Sequence, residues 1–355
     1  MTMSGNTRHL RRGHYHRILS VLATMLFLAT IAGCQKGSLS SIESGSPSSA
    51  PQQTITAELT YAPNVPQPIT RTAPARIIVN LEAQEKTAEL APGVTYNFWM
   101  YNGHVPGPFI RVRVGDTVEI HLKNLSPDKT HTVDFHAVTG PGGGAPVLMA
   151  NPSQEAVGAF KMLHPGLYVY HCAANPMPAH MSNGLYGMVL VEPEGTLAKV
   201  DREYYVIQSE FYTEGTVGKP GLQAYSSSKA AAETPEYVVF NGNTGSLMGS
   251  HMLQAKVGET VRIFFGNAGP NKISAFHVVG TSFNRLYRDG GLKHPDEDIQ
   301  TTLIAPGSTA IAEFQVLVPG HYTLLDHSIF RTERGAMGML NVDGPNAPTI
   351  YQKIK

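Results

Sequence analysis

The chain has 355 residues, enough for two domains of ordinary size with a core each. Only 15% of them are charged, while Gly numbers 35 and Pro 25, a balance that suits turn-rich all-β structure and argues against long solvated helices. The formal charge of zero hides a basic start: residues 1–33 hold Arg8, Arg11, Arg12 and Arg17 and no acid, which leaves 23 basic against 27 acidic residues in the remainder. That remainder shows no basic patch able to displace phosphate counterions, so no nucleic-acid partner is expected.

Residues 1–33 read as an export signal, with a basic start, an apolar stretch from Ile18 to Ala32 and small residues before Cys34. The apolar stretch is short for a membrane span. Ile31-Ala32-Gly33-Cys34 resembles a bacterial lipobox, in which the cysteine thiol is acylated and becomes the new N-terminus, and Arg11-Arg12 hints at twin-arginine export. The expected product is an exported bacterial lipoprotein, held to a membrane through Cys34 and facing the periplasm or the cell surface. Cys34 and Cys172 are the only cysteines, so lipidation of the first leaves no internal disulfide. A lone exported cysteine beside a histidine asks for another role.

Residues 34–72 are rich in Ser, Pro, Gln and Thr and read as a flexible tether. From Arg76 short β-branched and aromatic runs alternate with turn signals, at Arg76–Glu82, Tyr96–Tyr101, Phe109–Lys123, Thr130–Val138, Ala156–Met162, Leu167–His171 and Gly187–Val191. Such a series makes a Greek-key sandwich or barrel the economical fold for residues 73–195.

The second half repeats the first. Val114-Gly115-Asp116-Thr117-Val118 returns as Val257-Gly258-Glu259-Thr260-Val261 and Phe135-His136 as Phe276-His277, at offsets of 143 and 141 residues. Pro165-Gly166-Leu167-Tyr168 likewise returns as Pro319-Gly320-His321-Tyr322. Strings repeated in order predict a second copy of the domain over residues 196–355. Within it, Gly221 to Ala232 reads as a short helix between strands.

Chemistry concentrates in His131-Thr132-Val133-Asp134-Phe135-His136, then His171-Cys172, then His180. A thiolate with two imidazoles suits both oxidation states of copper, and His131, Cys172 and His180 are the candidates for a type 1 electron-transfer site. Their order, one His upstream and then Cys and His close together on a final loop, resembles that of the cupredoxins. On extended chain His136 and His171 face away from these ligands and offer two imidazoles for a second metal. The matching loop of the repeat ends Leu324-Leu325-Asp326-His327, with Asp326 standing seven residues after Pro319 as Cys172 stands seven after Pro165. The repeat thus loses its thiolate but keeps His327, a third imidazole that would complete a site with one open position.

Val133-Asp134-Phe135-His136, Tyr170-His171-Cys172-Ala173, Phe276-His277-Val278 and Asp326-His327-Ser328-Ile329-Phe330 resemble the copper-containing nitrite reductases, especially their lipoprotein-anchored branch. The resemblance covers about residues 75–345. It implies two tandem cupredoxin domains, type 1 and type 2 copper, and a homotrimer in which His327 of one subunit meets His136 and His171 of its neighbour. It further implies dissimilatory reduction of nitrite to nitric oxide, with electrons from a small redox protein, a cytochrome c or a cupredoxin, and protons from Asp134 and His277. Two positions depart from the family: Leu185 stands where an axial Met is usual, and Val279 where an isoleucine commonly shapes the pocket. His104, His121, His164, His251, His294 and His321 read as ordinary solvated or core histidines.

Two other functions compete. A laccase-like multicopper oxidase needs several His-x-His pairs, including His-Cys-His, yet Ala173 follows Cys172 and the lone such pair, His14-Tyr15-His16, lies in the signal. A non-catalytic copper electron carrier explains the type 1 set but not the survival of His327.

Overall fold

The computed structural model describes residues 53–355, which form two pairs of facing sheets. The expected export signal, Cys34 and the first part of the tether lie outside these residues. In the first domain the strands are β1 (Thr54–Thr56), β2 (Arg76–Ala91), β3 (Val94–Tyr101), β4 (Ile110–Arg113), β5 (Thr117–Asn124), β6 (Asp134–Phe135), β7 (Glu155–Lys161), β8 (Gly166–His171) and β9 (Tyr186–Glu192). One sheet runs β3-β2-β5-β7 and the other β4-β9-β8-β6. Period-two alternation aims Ile77, Val79, Leu81 and Ala83 of β2 inward, where with Ile120, Leu122, Val112, Val189 and Val191 they close the core. A short helix, α1 (Met177–Ser182), joins β8 to β9.

The second domain holds β10 (Arg202–Phe211), β11 (Gly221–Gln223), helix α2 (Ser227–Ala231), β12 (Tyr237–Phe240), β13 (Leu253–Lys256), β14 (Thr260–Gly269), β15 (Ser274–Val278), β16 (Arg285–Arg288), β17 (Thr301–Ile304), β18 (Ser308–Gln315), β19 (Gly320–Asp326) and β20 (Met337–Asp343). Its sheets contain β12-β10-β14-β18 and β13-β20-β19-β15, the same orders as in the first domain. The repeated strings mark equivalent turns: Gly115 and Gly258 have φ of +87° and +92°, a left-handed conformation that favours glycine. The fold is all-β, two tandem cupredoxin domains, as the sequence predicts.

The domains meet through Phe109, Leu167, Val169, Tyr186 and Met188 on one side and Tyr205, Ile207, Phe264 and Ile311 on the other. Beside this apolar seam Arg111 pairs with Glu192 and with Glu203, and Glu203 also receives Arg262. Charges this deeply buried persist only when partnered, so the ladder fixes how the domains register.

Three expectations are corrected. Residues 53–72 are not a free tether: β1 pairs in parallel with β2, the Pro63 carbonyl accepts from the Tyr205 N–H, and Tyr61 stacks on His104 at 3.8 Å between ring centroids. The short helix expected over Gly221–Ala232 is present but confined to Ser227–Ala231, because Gly221–Gln223 add as a strand to the edge of β3. The run Thr130–Val138 is strand only at Asp134–Phe135, with His131 in an isolated bridge to Ala150. Among the described residues no helix is long and apolar enough to cross a membrane.

Candidate metal centres

Cys172 follows the last residue of β8, His180 sits on α1 and His131 on the segment leading to β6. All three are buried, and their donor atoms lie within 4.8 Å of one another. The Cys172 Sγ is 3.2 Å from His180 Nδ1 and 3.8 Å from His131 Nδ1. A trigonal first-row metal with bonds of roughly 2.0–2.3 Å would set such donors about 3.7 Å apart, so the set fits a copper. The His131 Nε2 stands 3.2 Å from Glu85 Oε1, which turns Nδ1 toward the sulfur. Burial lowers His131 and holds His180 at about 4, so both imidazoles are neutral and ready to ligate. Burial pushes the Cys172 thiol up to about 11, against N–H donors from Thr132 and Ala174. The thiolate therefore depends on a bound cation rather than on the fold, unlike a reactive catalytic cysteine.

The second group lies on the opposite side of β8. Asp134 pairs with His171 across β6 and β8, and His136 turns back so that its Nε2 is 3.2 Å from His171 Nε2. Two corners of a tetrahedral site with bonds of about 2.0–2.1 Å are about 3.3 Å apart. The His171 Nδ1 lies 3.2 Å from the Cys172 carbonyl, which can only accept, so Nε2 carries the free lone pair. Asp134, His136 and His171 form the second donor group among the described residues.

His327 and His277 are in neither group. They sit together on the second domain, His277 on β15 and His327 just after β19, with ring centroids 5.6 Å apart. The Gln300 carbonyl is 2.6 Å from His277 Nδ1, so that nitrogen carries its proton and Nε2 faces outward. The chain thus presents a half-site on each domain.

The sequence pattern of the multicopper oxidases matches residues 82–196 and again residues 216–345. A copper-containing nitrite reductase of Neisseria gonorrhoeae is 50% identical over 304 residues, 84% of this chain and 77% of its own length. The chain belongs to the copper-containing nitrite reductases. A solved copper nitrite reductase from Nitrosomonas europaea superposes with a TM-score of 0.67 at 33% identity, covering 77% of this chain and 96% of that one. A solved multicopper oxidase also reaches 0.67, at 26% identity over 82% of this chain and 95% of its own. Fold alone does not separate the two activities, whereas the closer sequence match does.

Membership in the nitrite reductase family makes the chain a copper-dependent oxidoreductase. Leu185, at the position where the sequence comparison expects an axial methionine, is fully buried, and its carbonyl accepts from the Cys172 N–H at 3.0 Å. Met177 is 41% exposed and Met188 packs in the interdomain seam, so neither replaces the missing thioether here. Sequence reasoning missed Glu85 and Trp99, the latter edge-on to His180 at 4.7 Å. They face each other across β2 and β3, a relation that no motif encodes.

Proposed function

We propose that this nitrite reductase carries type 1 copper at His131, Cys172 and His180 and type 2 copper at His136, His171 and His327 of the partner subunit in a homotrimer. There it reduces nitrite with one electron and two protons to nitric oxide and water. The observation that carries the reading is the arrangement of two donor groups of different chemistry on consecutive residues, a thiolate with two imidazoles on one side and paired imidazoles on the other. Copper, when bound, supplies one-electron chemistry and an open position for a small anion. Asp134 and His277 hold the protons, each beside the imidazoles of its own half-site.

The shared site is favoured because the first domain gathers only two imidazoles, His136 and His171, while His327 stands apart on the second. Around His277 and His327, Ile273, Val279, Leu303, Ile329 and Phe330 are all exposed, from 45% to 76%, an apolar face suited to a neighbouring copy. The wider setting follows the sequence: acylation at Cys34, export, and a small redox protein as electron donor.

Anaerobic release of nitric oxide from nitrite and a reduced dye, dependent on added copper, tests the activity. Co-expression of a His327→Ala chain with a Cys172→Ala chain tests the sharing. Mixed trimers should regain complete sites at some interfaces. Mixed trimers with no more nitrite turnover than either variant alone would refute it, because a Cys172→Ala chain keeps its second copper whether or not the site is shared.

A further inference from the structure

Asp326 occupies in the second domain the place that Cys172 holds in the first, seven residues after the repeated proline. In the first domain the sulfur takes the N–H of Ala174, two residues on. In the second, the Asp326 Oδ1 takes the equivalent N–H of Ser328 at 2.9 Å and that of Ala275 at 3.1 Å. Its Oδ2 takes the Gln208 amide at 3.0 Å and the Arg331 guanidinium at 2.6 Å. Ser274 Oγ holds the Gln208 carbonyl at 2.8 Å, and Arg331 also reaches the Ile273 carbonyl. Asp326 is wholly buried and each of its oxygens has two donors. A carboxylate with a guanidinium stands where the first domain has a thiolate built for a cation, so the anion-holding pocket survives with a new counter-charge.

The donors matter for what they flank. Ala275 lies two residues before His277, Ser328 immediately follows His327, and the His327 N–H donates to the Ala275 carbonyl at 2.7 Å. One buried carboxylate therefore ties the strand bearing His277 to the loop bearing His327. We infer that Asp326, held by Arg331, is the positioning residue that sets His327 for the second copper, shared with the partner subunit, and His277 beside it. This rests on the shared-site reading above.

The test uses the full-length copper-loaded protein. Asp326→Asn keeps the shape but removes the charge that Arg331 and the two N–H groups address. It should weaken the second copper about ten- to a hundredfold in chelator competition, a size typical of outer-sphere partners, and change its spin-resonance hyperfine pattern. The thiolate-to-copper absorption of the first site should be unchanged. Arg331→Met leaves three of the four donors and should show the same signature more weakly; it also decides the matter if Asp326→Asn does not fold. Unchanged affinity and spectrum in the folded variants, or parallel loss of both coppers with a lower melting temperature, would overturn the inference. A His327→Ala chain that keeps its second copper would instead overturn the shared-site reading.

Discussion

His171 and Cys172 are consecutive, yet they face opposite sides of β8: His171 Nε2 lies 3.2 Å from His136 Nε2, and Cys172 Sγ lies 3.2 Å from His180 Nδ1. A single peptide unit joins the two donor groups while strand alternation keeps them apart. Cys172→Ala should therefore abolish the visible thiolate-to-copper absorption and leave a colourless copper detectable by spin resonance. Loss of both coppers in that variant would contradict two independent sites.

Asp134 is half-buried beside His136 and His171, and it is closely covered by Gly143, where any Cβ would fall 1.9 Å from Asp134 Oδ1. Its carboxylate is thus placed by backbone rather than by a side-chain partner. Asp134→Asn and His277→Ala should lower nitrite turnover about a hundredfold while copper content stays near wild type, as expected of proton carriers outside the metal's own ligands. Metal analysis and turnover on the same samples decide it, because equal losses of both would make these residues structural.

The copper-free protein should lose stability as pH falls from about 6.5 toward 4. Burial keeps His180 at about 4 and His131 below its usual value in the folded chain. Across that window the unfolded chain binds more protons than the folded one, so stability rises with pH and declines on acidification. His180 alone accounts for on the order of 3 kcal/mol by pH 4. Thermal melting of chelated protein should show the decline, and His180→Gln should flatten it. A melting temperature that rises on acidification would contradict the assignment.

The order of the ligands was legible in the sequence because each histidine sits in a short string whose neighbours fix its face, and the repeat was legible because Gly115 and Gly258 turn where few other residues can. Glu85 depends on a partner far along the chain, His131, so no local pattern announces it, and the repeat places Asp326 at the vacated thiolate position without revealing its partner Gln208. β2 runs for 16 residues to Ala91, well past the apolar run ending at Glu82, because its polar second half is held by pairing with β3 rather than by burial. The Ala and Ser content of Gly221–Ala232 suggested a helix, but an open edge at β3 captured its first three residues.

Leu185 decides the character of the first copper. A thioether in the axial position donates electron density and favours oxidised metal, whereas the buried alkyl group of Leu185 cannot. Met177 is exposed and Met188 packs in the interdomain seam, so neither stands in for the thioether. The site should therefore be three-coordinate and blue rather than green, with a reduction potential above that of a methionine-ligated one. Leu185→Met should lower the potential and introduce green absorption, both read by spectroelectrochemistry on copper-loaded protein. An unchanged potential would mean that another ligand already fills the axial position, and a methionine sulfur at bonding distance in the copper-loaded structure would identify it.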